Sequence, residues 1–279
     1  MRRGGLSTGR WHEWAVRLAS SRSVSLALAV LIAVLVAQPL RPLLGVGVFL
    51  LAAIVCLSAR QLLMVTAQVR QLANASASAG SELWGLLGLL GRPGRILPRL
   101  DGGGMDLDAA YALADLVVRS EPCVVVELGP GGSTVVLALA AASVSISMEI
   151  WSLESDPVWA ARAERLVAYH SIPRCRVVSA PLVEQRFGTW TGSWYSPEAV
   201  ALIPDHIDLL IVDGPDNFEQ NDARFPAYPA LRGRLGPDSR VFVHDTDRGD
   251  ETNMVEAWIT DSALSREQSG ARFVVLRHG

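Results

Sequence analysis

The run Val124-Val125-Val126-Glu127-Leu128, followed by Gly129-Pro130-Gly131-Gly132 and Ser133-Thr134, limits the possible folds of this chain more than any other stretch. A short apolar, β-branched run reads as a buried strand. An acid sits near its end, and a glycine-rich turn follows. Ser133 and Thr134 can cap a helix that the apolar Val135–Ala140 continues. Strand, acid, glycine turn and helix in that order let backbone approach a ligand closely, while the carboxylate can accept hydrogen bonds from it. Glu127, Gly129, Gly131 and Ser133 are therefore the first candidate ligand contacts.

The rest of the C-terminal part repeats this grammar. Helices are expected over Asp106–Arg119, from Pro157 to His170, over Ala223–Leu235 and over Glu251–Thr260. Strands are expected at Ile150–Glu154, Cys175–Val178, Ile207–Asp213, Arg240–Asp245 and Arg272–Leu276. Alternation of nearly all-apolar strands with helices predicts an α/β fold, a doubly wound, mostly parallel sheet covered on both faces. Ligands of such sheets bind outside the carboxyl ends of the strands. Glu127, Glu154, Ala180, Asp213, His244 and Asp245 should then share one rim. The loop Gln185–Ile203 holds Trp190, Trp194 and Tyr195, which could either stack on an acceptor or pack on the sheet. Arg224 and Arg248 are either solvated or placed to hold an acidic substrate.

The N-terminal part differs in kind. Half of the 279 residues are hydrophobic, and the excess falls before residue 70. Val24–Ala37 and Leu43–Ser58 carry no charge, and Gln38-Pro39-Leu40-Arg41-Pro42 separates them. Extended by their flanks to Leu18–Leu40 and Leu43–Leu63, both reach the roughly 20 residues that a ~30 Å hydrocarbon core requires. The expectation is a helical membrane hairpin. Arg2, Arg3, Arg10, Arg17 and Arg22 before it, with Arg60 and Arg70 after it, put both ends on the cytoplasmic side of the membrane. A signal peptide, a buried soluble hairpin and a single tilted span are the rival readings. A stalk helix over Ala59–Leu72 and a small-residue linker, Asn74–Ser81, complete a segment 1–80 ahead of a catalytic domain 81–279. Leu83–Arg92 is expected to pack on that domain.

A net charge of −3 gives no case for nucleic acid as a partner. Cys56, Cys123 and Cys175 are isolated in apolar contexts, with neither a disulfide framework nor metal spacing. A dinucleotide turn asks for G-x-G-x-x-G. Gly129 and Gly131 fit, but Thr134 stands at the sixth position. Glu127 would also repel a pyrophosphate and suits a cationic or amine-bearing nucleoside better.

At these residues the sequence resembles the class I S-adenosylmethionine-dependent methyltransferases, over about residues 102–279. Glu127-Leu128-Gly129-Pro130-Gly131-Gly132 looks like their first motif, which holds the amino-acid end of the cofactor. The resemblance implies that Glu154 binds the ribose hydroxyls and that Ala180 lies at the adenine. Val212-Asp213-Gly214-Pro215, Tyr228-Pro229-Ala230-Leu231 and Val243-His244-Asp245 resemble members acting on small molecules and sugars. Gly102-Gly103 resembles bacterial members linked to surface-glycan assembly. Some relatives hold a divalent metal at the places of Asp213 and Asp245. The Asn that follows in them is replaced here by Thr246 and then Asp247, so no metal ligands are assigned.

The implied function is methyl transfer from S-adenosyl-L-methionine to an oxygen of a sugar, lipid-linked or other small acceptor. Asp213 or His244 would serve as base, and Asp245 would orient His244 or hold a metal. An NAD-dependent oxidoreductase and a non-catalytic membrane scaffold are the alternatives.

Overall fold

The computed structural model describes residues 22–36, 42–91, 94–98, 104–216 and 220–279. The Arg-rich start, most of the expected reversal at Gln38–Pro42 and the Gly102-Gly103 pair lie outside them. The chain divides into two compact units, Met1–Ala75 and Ser76–Gly279.

In the first unit, α1 (Arg22–Val36) has 15 residues, about 22 Å of helix at about 1.5 Å per residue. That is short of a ~30 Å core. Pro42 opens α2 (Pro42–Leu90) at the position where a missing N–H costs nothing. Within α2, Val48–Arg70 has a mean hydropathy of 2.2 and none of it is buried. Among the described residues it is the one helical segment long and apolar enough to cross a membrane. The expected stalk and the stretch Asn74–Ser81 belong to this same helix. The linker expectation is corrected accordingly. Alanine is the strongest helix former, small side chains lose little entropy on ordering, and no proline follows Pro42 within α2.

The second unit is built on a seven-stranded sheet. In chain order its elements are α3 (Leu107–Ser120), β1 (Val124–Leu128), α4 (Gly132–Ser143), β2 (Glu149–Glu154), α5 (Pro157–His170) and β3 (Cys175–Ser179). Then come β4 (Leu182–Phe187), β5 (Trp190–Tyr195), α6 (Pro197–Val200), β6 (Ile207–Val212) and α7 (Ala227–Leu231). β7 (Leu235–His244), α8 (Gly249–Thr260), β8 (Leu264–Ser269) and β9 (Phe273–His278) close it. The spatial order is β3-β2-β1-β6-β7-β9-β8. The first five are parallel, β9 runs antiparallel to them, and edge strand β8, antiparallel to β9, returns to their direction.

Period-two alternation splits each central strand between two apolar layers. Val125, Leu209, Ile211, Phe242 and Val275 face α3, α4 and the buried Leu86 and Leu90 of α2. Val126, Leu128, Leu210, Val212, Val241 and Val243 face a layer containing Trp194, Tyr195, Tyr228 and Trp258. Burial on both faces explains why these strands read as continuous apolar runs. Leu83–Leu90 does pack on this unit, as expected.

Three differences from expectation have clear causes. β4 and β5 form a separate antiparallel hairpin where a loop was expected. Its two-residue turn places Gly188 at φ +61°, the glycine position that such tight turns favour. β8, on the edge, is polar at Arg266, Glu267 and Gln268 and so lacks a buried strand's signature. The expected helix Ala223–Leu235 shrinks to α7 and a single 3₁₀ turn, Arg232–Arg234, around Pro226, Pro229 and Gly233.

β1 and β6 are neighbours whose following crossovers go to opposite sides of the sheet, the arrangement that opens a crevice at the strand ends. The two turns there touch. Asp213 N–H donates to Leu128 C=O at 3.0 Å, while Gly129 N–H donates the other way, to Leu153 C=O of β2, at 3.0 Å. Gly129 has φ +86°, and a Cβ there would lie 3.0 Å from the backbone of Asp213 and Gly214. Gly129→Ala is therefore expected to cost about 1–3 kcal/mol and to lower the thermal midpoint by several degrees, measured by circular dichroism. Gly131→Ala, with nothing within 4 Å of the added carbon, should leave it nearly unchanged.

Candidate active site at the strand ends

The glycine turn is held from inside. Glu127 is fully buried and points to the α4 side of β1. Its Oε1 accepts from Ser133 Oγ at 2.5 Å, and its Oε2 accepts from Thr134 Oγ1 and Ser152 Oγ, both at 2.7 Å. Thr134 Oγ1 also accepts from Gly131 N–H at 3.2 Å. Burial pushes the Glu127 carboxyl up to about 7 against the opposing pull of these three hydroxyls. Glu127 and the Ser133 hydroxyl thus bond to each other beneath the turn. What the turn presents outward is backbone: open space at Gly131 and the first N–H groups of the 12-residue α4.

Glu154 is half-buried at the end of β2, and desolvation raises its pKa. Its Oε1 accepts from Asp156 N–H at 2.9 Å. Asp156 in turn caps α5 by accepting from the N–H groups of Val158 and Trp159. Ala180 is brought to the end of β3, but it is fully buried and its N–H is committed to Glu154 C=O at 2.7 Å.

Asp213, His244 and Asp245 converge at the ends of β6 and β7, with ligating atoms within 4.8 Å of one another. His244 Nδ1 is 3.1 Å from Asp213 Oδ1 and 3.5 Å from Asp245 Oδ1. Its Nε2 is buried without a hydrogen-bond partner, 3.8 Å from Asp106 Oδ2. That distance makes an ion pair, not a hydrogen bond. Burial alone would lower the His244 pKa, but the carboxylates of Asp106, Asp213 and Asp245 outweigh it and push it up to about 9. His244 is therefore a cation at neutral pH, a poor proton acceptor there. His244, in turn, is the largest influence holding the Asp106 carboxyl below its ordinary value.

Sequence reading found these three residues but not what surrounds them. Arg224, at 4 % exposure, lies among them. Asp106 is the N-cap of α3, which accepts from Ala109 N–H, and its role in pairing with His244 carries no motif. Glu251 and Arg272 come from α8 and the edge of β9. Asp245 sits at φ +60°, a left-handed conformation that aspartate tolerates better than most residues. Of the aromatics, Trp194 and Tyr195 pack in the core, and Trp190 donates to Asp222 C=O at 3.1 Å. The Tyr195 hydroxyl nevertheless reaches the site: it lies 2.7 Å from where a Cβ on Gly214 would be. Burial raises its pKa well above the ordinary value.

Two of the raised groups, His244 and Glu127, fix a pH dependence around neutrality. A raised folded-state pKa gives stability that is fully present below the unfolded value and is lost as pH rises through the folded one. For His244 that window runs from 6.5 to about 9, and for Glu127 from 4.5 to about 7. Thermal unfolding should show the midpoint falling between pH 6.5 and 9, and His244→Asn should flatten that slope.

No family model and no curated protein matches the sequence. Among solved structures, the chain is similar to an SAH-bound methyltransferase of Podospora anserina, at 11% identity and TM-score 0.49, over 75% of this chain and 96% of that one. It is also similar to an O-methyltransferase of Bacillus cereus in complex with SAH, at 15% identity and TM-score 0.47, over 71% and 91% of the two chains. A third is a precorrin-6y C5,15-methyltransferase of Geobacter metallireducens, at 12% identity and TM-score 0.47, over 68% and 97%.

Proposed function

We propose that the chain is a class I S-adenosylmethionine-dependent methyltransferase, anchored in the cytoplasmic membrane, that methylates a hydroxyl of a sugar, lipid-linked or other small acceptor. The observation that carries this reading is the placement at one switch point of a ligand-accommodating glycine turn, a carboxylate one strand away and a titratable cluster on the other side.

The residues fit the cofactor. The open space at Gly131 and the positive end of the α4 dipole suit its amino-acid carboxylate. Glu154 offers carboxylate oxygens to the ribose hydroxyls. Glu127 acts by shaping the turn, so direct contact falls to the backbone from Gly129 to Ser133. When bound, S-adenosylmethionine supplies an electrophilic methyl group on a positively charged sulfur. An acceptor hydroxyl attacking that methyl would displace the sulfur and would give up its proton to a protein base. Asp213 is the proposed base. Its side chain, at 17% exposure, is more open than that of His244 or Asp245. His244, bonded to it at 3.1 Å, orients the Asp213 carboxylate.

The apolar Val48–Arg70 segment supports the anchor, and the arginines at both ends of the apolar region support a cytoplasmic catalytic face. Anchoring would concentrate the enzyme with a lipid-linked acceptor.

Calorimetry on the detergent-solubilised chain should show S-adenosylmethionine binding and no comparable NAD binding; the reverse would establish the oxidoreductase alternative. Glu154→Ala should weaken cofactor binding about 10- to 100-fold, as expected for lost bonds to a charged group. Asp213→Asn should leave binding intact and slow transfer to acceptors of a native glycolipid extract by about 10²-fold or more. Binding with no transfer by wild type to any such extract would favour the scaffold. In cell fractionation the full chain should pellet with membranes and be released by detergent but not by high salt; recovery in the soluble fraction would refute the anchor.

A further inference from the structure

We infer that Arg224 is a built-in cation that occupies the place of a divalent metal, so that this rim holds no metal ion and Arg224 is the residue positioning Asp213 and Asp245. Asp213, His244 and Asp245 have the chemistry and spacing of a metal-binding set, but the space between the carboxylates is taken. Arg224 Nη2 is 3.5 Å from Asp213 Oδ1 and 3.1 Å from Asp245 Oδ2, and Nη1 is 3.8 Å from Glu251 Oε1. A divalent ion would need carboxylate oxygens at about 2.0–2.6 Å in that same space.

The guanidinium is locked in place. Its Nε donates to Pro215 C=O and its Nη1 to His244 C=O, both at 3.3 Å. These bonds tie it to the backbone at the ends of both strands that carry the acids. An arginine cannot vacate the site by losing its charge. Asp245 has no oxygen to spare, since Oδ1 pairs with Arg272 and Oδ2 with Arg224 and with Arg248 at 3.1 Å. Three guanidiniums around one carboxylate would repel an arriving dication. The set therefore does not fit a metal, and charge balance comes from within the chain. Nη2 of Arg224 meets both carboxylates while Nη1 and Nε bind the carbonyls of His244 and Pro215, a set of contacts that a lysine ammonium, with its single nitrogen, could not make.

The assignment rests on the geometry and not on the methyl-transfer reading, and its test does not use activity. Mn²⁺ would be titrated into the detergent-solubilised full chain and free Mn²⁺ followed by electron paramagnetic resonance. Wild type should bind none at the rim up to millimolar concentration. Arg224→Gln and Arg224→Ala should each bind one ion per chain, with affinity higher on the order of tenfold or more once the competing charge is gone; adding Asp245→Asn should abolish that gain. Circular dichroism identifies which variants fold, and wild type alone decides whether the native rim takes a metal. Stoichiometric Mn²⁺ binding by wild type that Asp245→Asn removes would overturn the inference. Folded Arg224 variants that bind no Mn²⁺ would overturn the claim that the guanidinium stands in an ion's place.

Discussion

The turn after β1 and the turn after β6 approach each other so closely that only backbone fits between them. Gly129 provides the space, at a φ that a side chain would strain and with the Asp213–Gly214 backbone where its Cβ would be. The N–H of Asp213 then bonds to the carbonyl of Leu128. This contact fixes the position of Asp213 relative to the glycine turn, and through Asp213 that of His244 and Arg224. Groups that are to react must be held about 3–3.5 Å apart, and a misplacement of about 1 Å is costly. A contact made of main chain, with no rotamers to vary, is a suitable ruler for that.

Charge is handled differently on the two sides of this ruler. On the glycine side, one carboxyl is taken out of water, and burial suppresses its charge up to about pH 7 even though three hydroxyls donate to it. On the other side, His244 and the neighbouring arginines, against the opposing effect of burial, hold the Asp106 and Asp245 carboxyls below their ordinary values. A buried ion pair contributes little net stability, but removing one partner leaves a desolvated charge and is costly. The cluster is thus better understood as a fixed arrangement of charges than as a source of stability.

The parallel core was legible in the sequence because strands buried on both faces leave continuous apolar runs, and the rim positions followed from the rule that ligands sit at strand ends. The start of the helix at Pro157 was legible because proline suits a helix's first turn, and the structure adds the Asp156 cap. The hairpin β4–β5 went unread because its strands mix Glu184, Gln185 and Arg186 with tryptophans; the readable signal was Gly188 in a two-residue turn. The site was legible as a set of residues but not as a set of bonds. Glu127 was expected to face the ligand, and alternation along β1, a matter of one residue, turns it to the α4 layer. Arg224 could not be placed, because a lone arginine in a loop has no pattern that tells a solvated side chain from a buried one. Arg272 and Asp106 lie 166 positions apart and meet only through the fold.

The hairpin has a consequence for how the molecule can change over time. Parallel strands are ordinarily joined by a helix that completes a layer of the fold. Between β3 and β6 the chain instead uses β4, β5 and a single-turn helix, with Trp194 and Tyr195 inserted into the core as the fasteners. Because β4 and β5 pair only with each other, their outward residues and their turn can be rewritten without disturbing any rung of the main sheet. Change in this module is thereby uncoupled from the sheet beneath, and variation among descendants of such a chain is expected to collect in it.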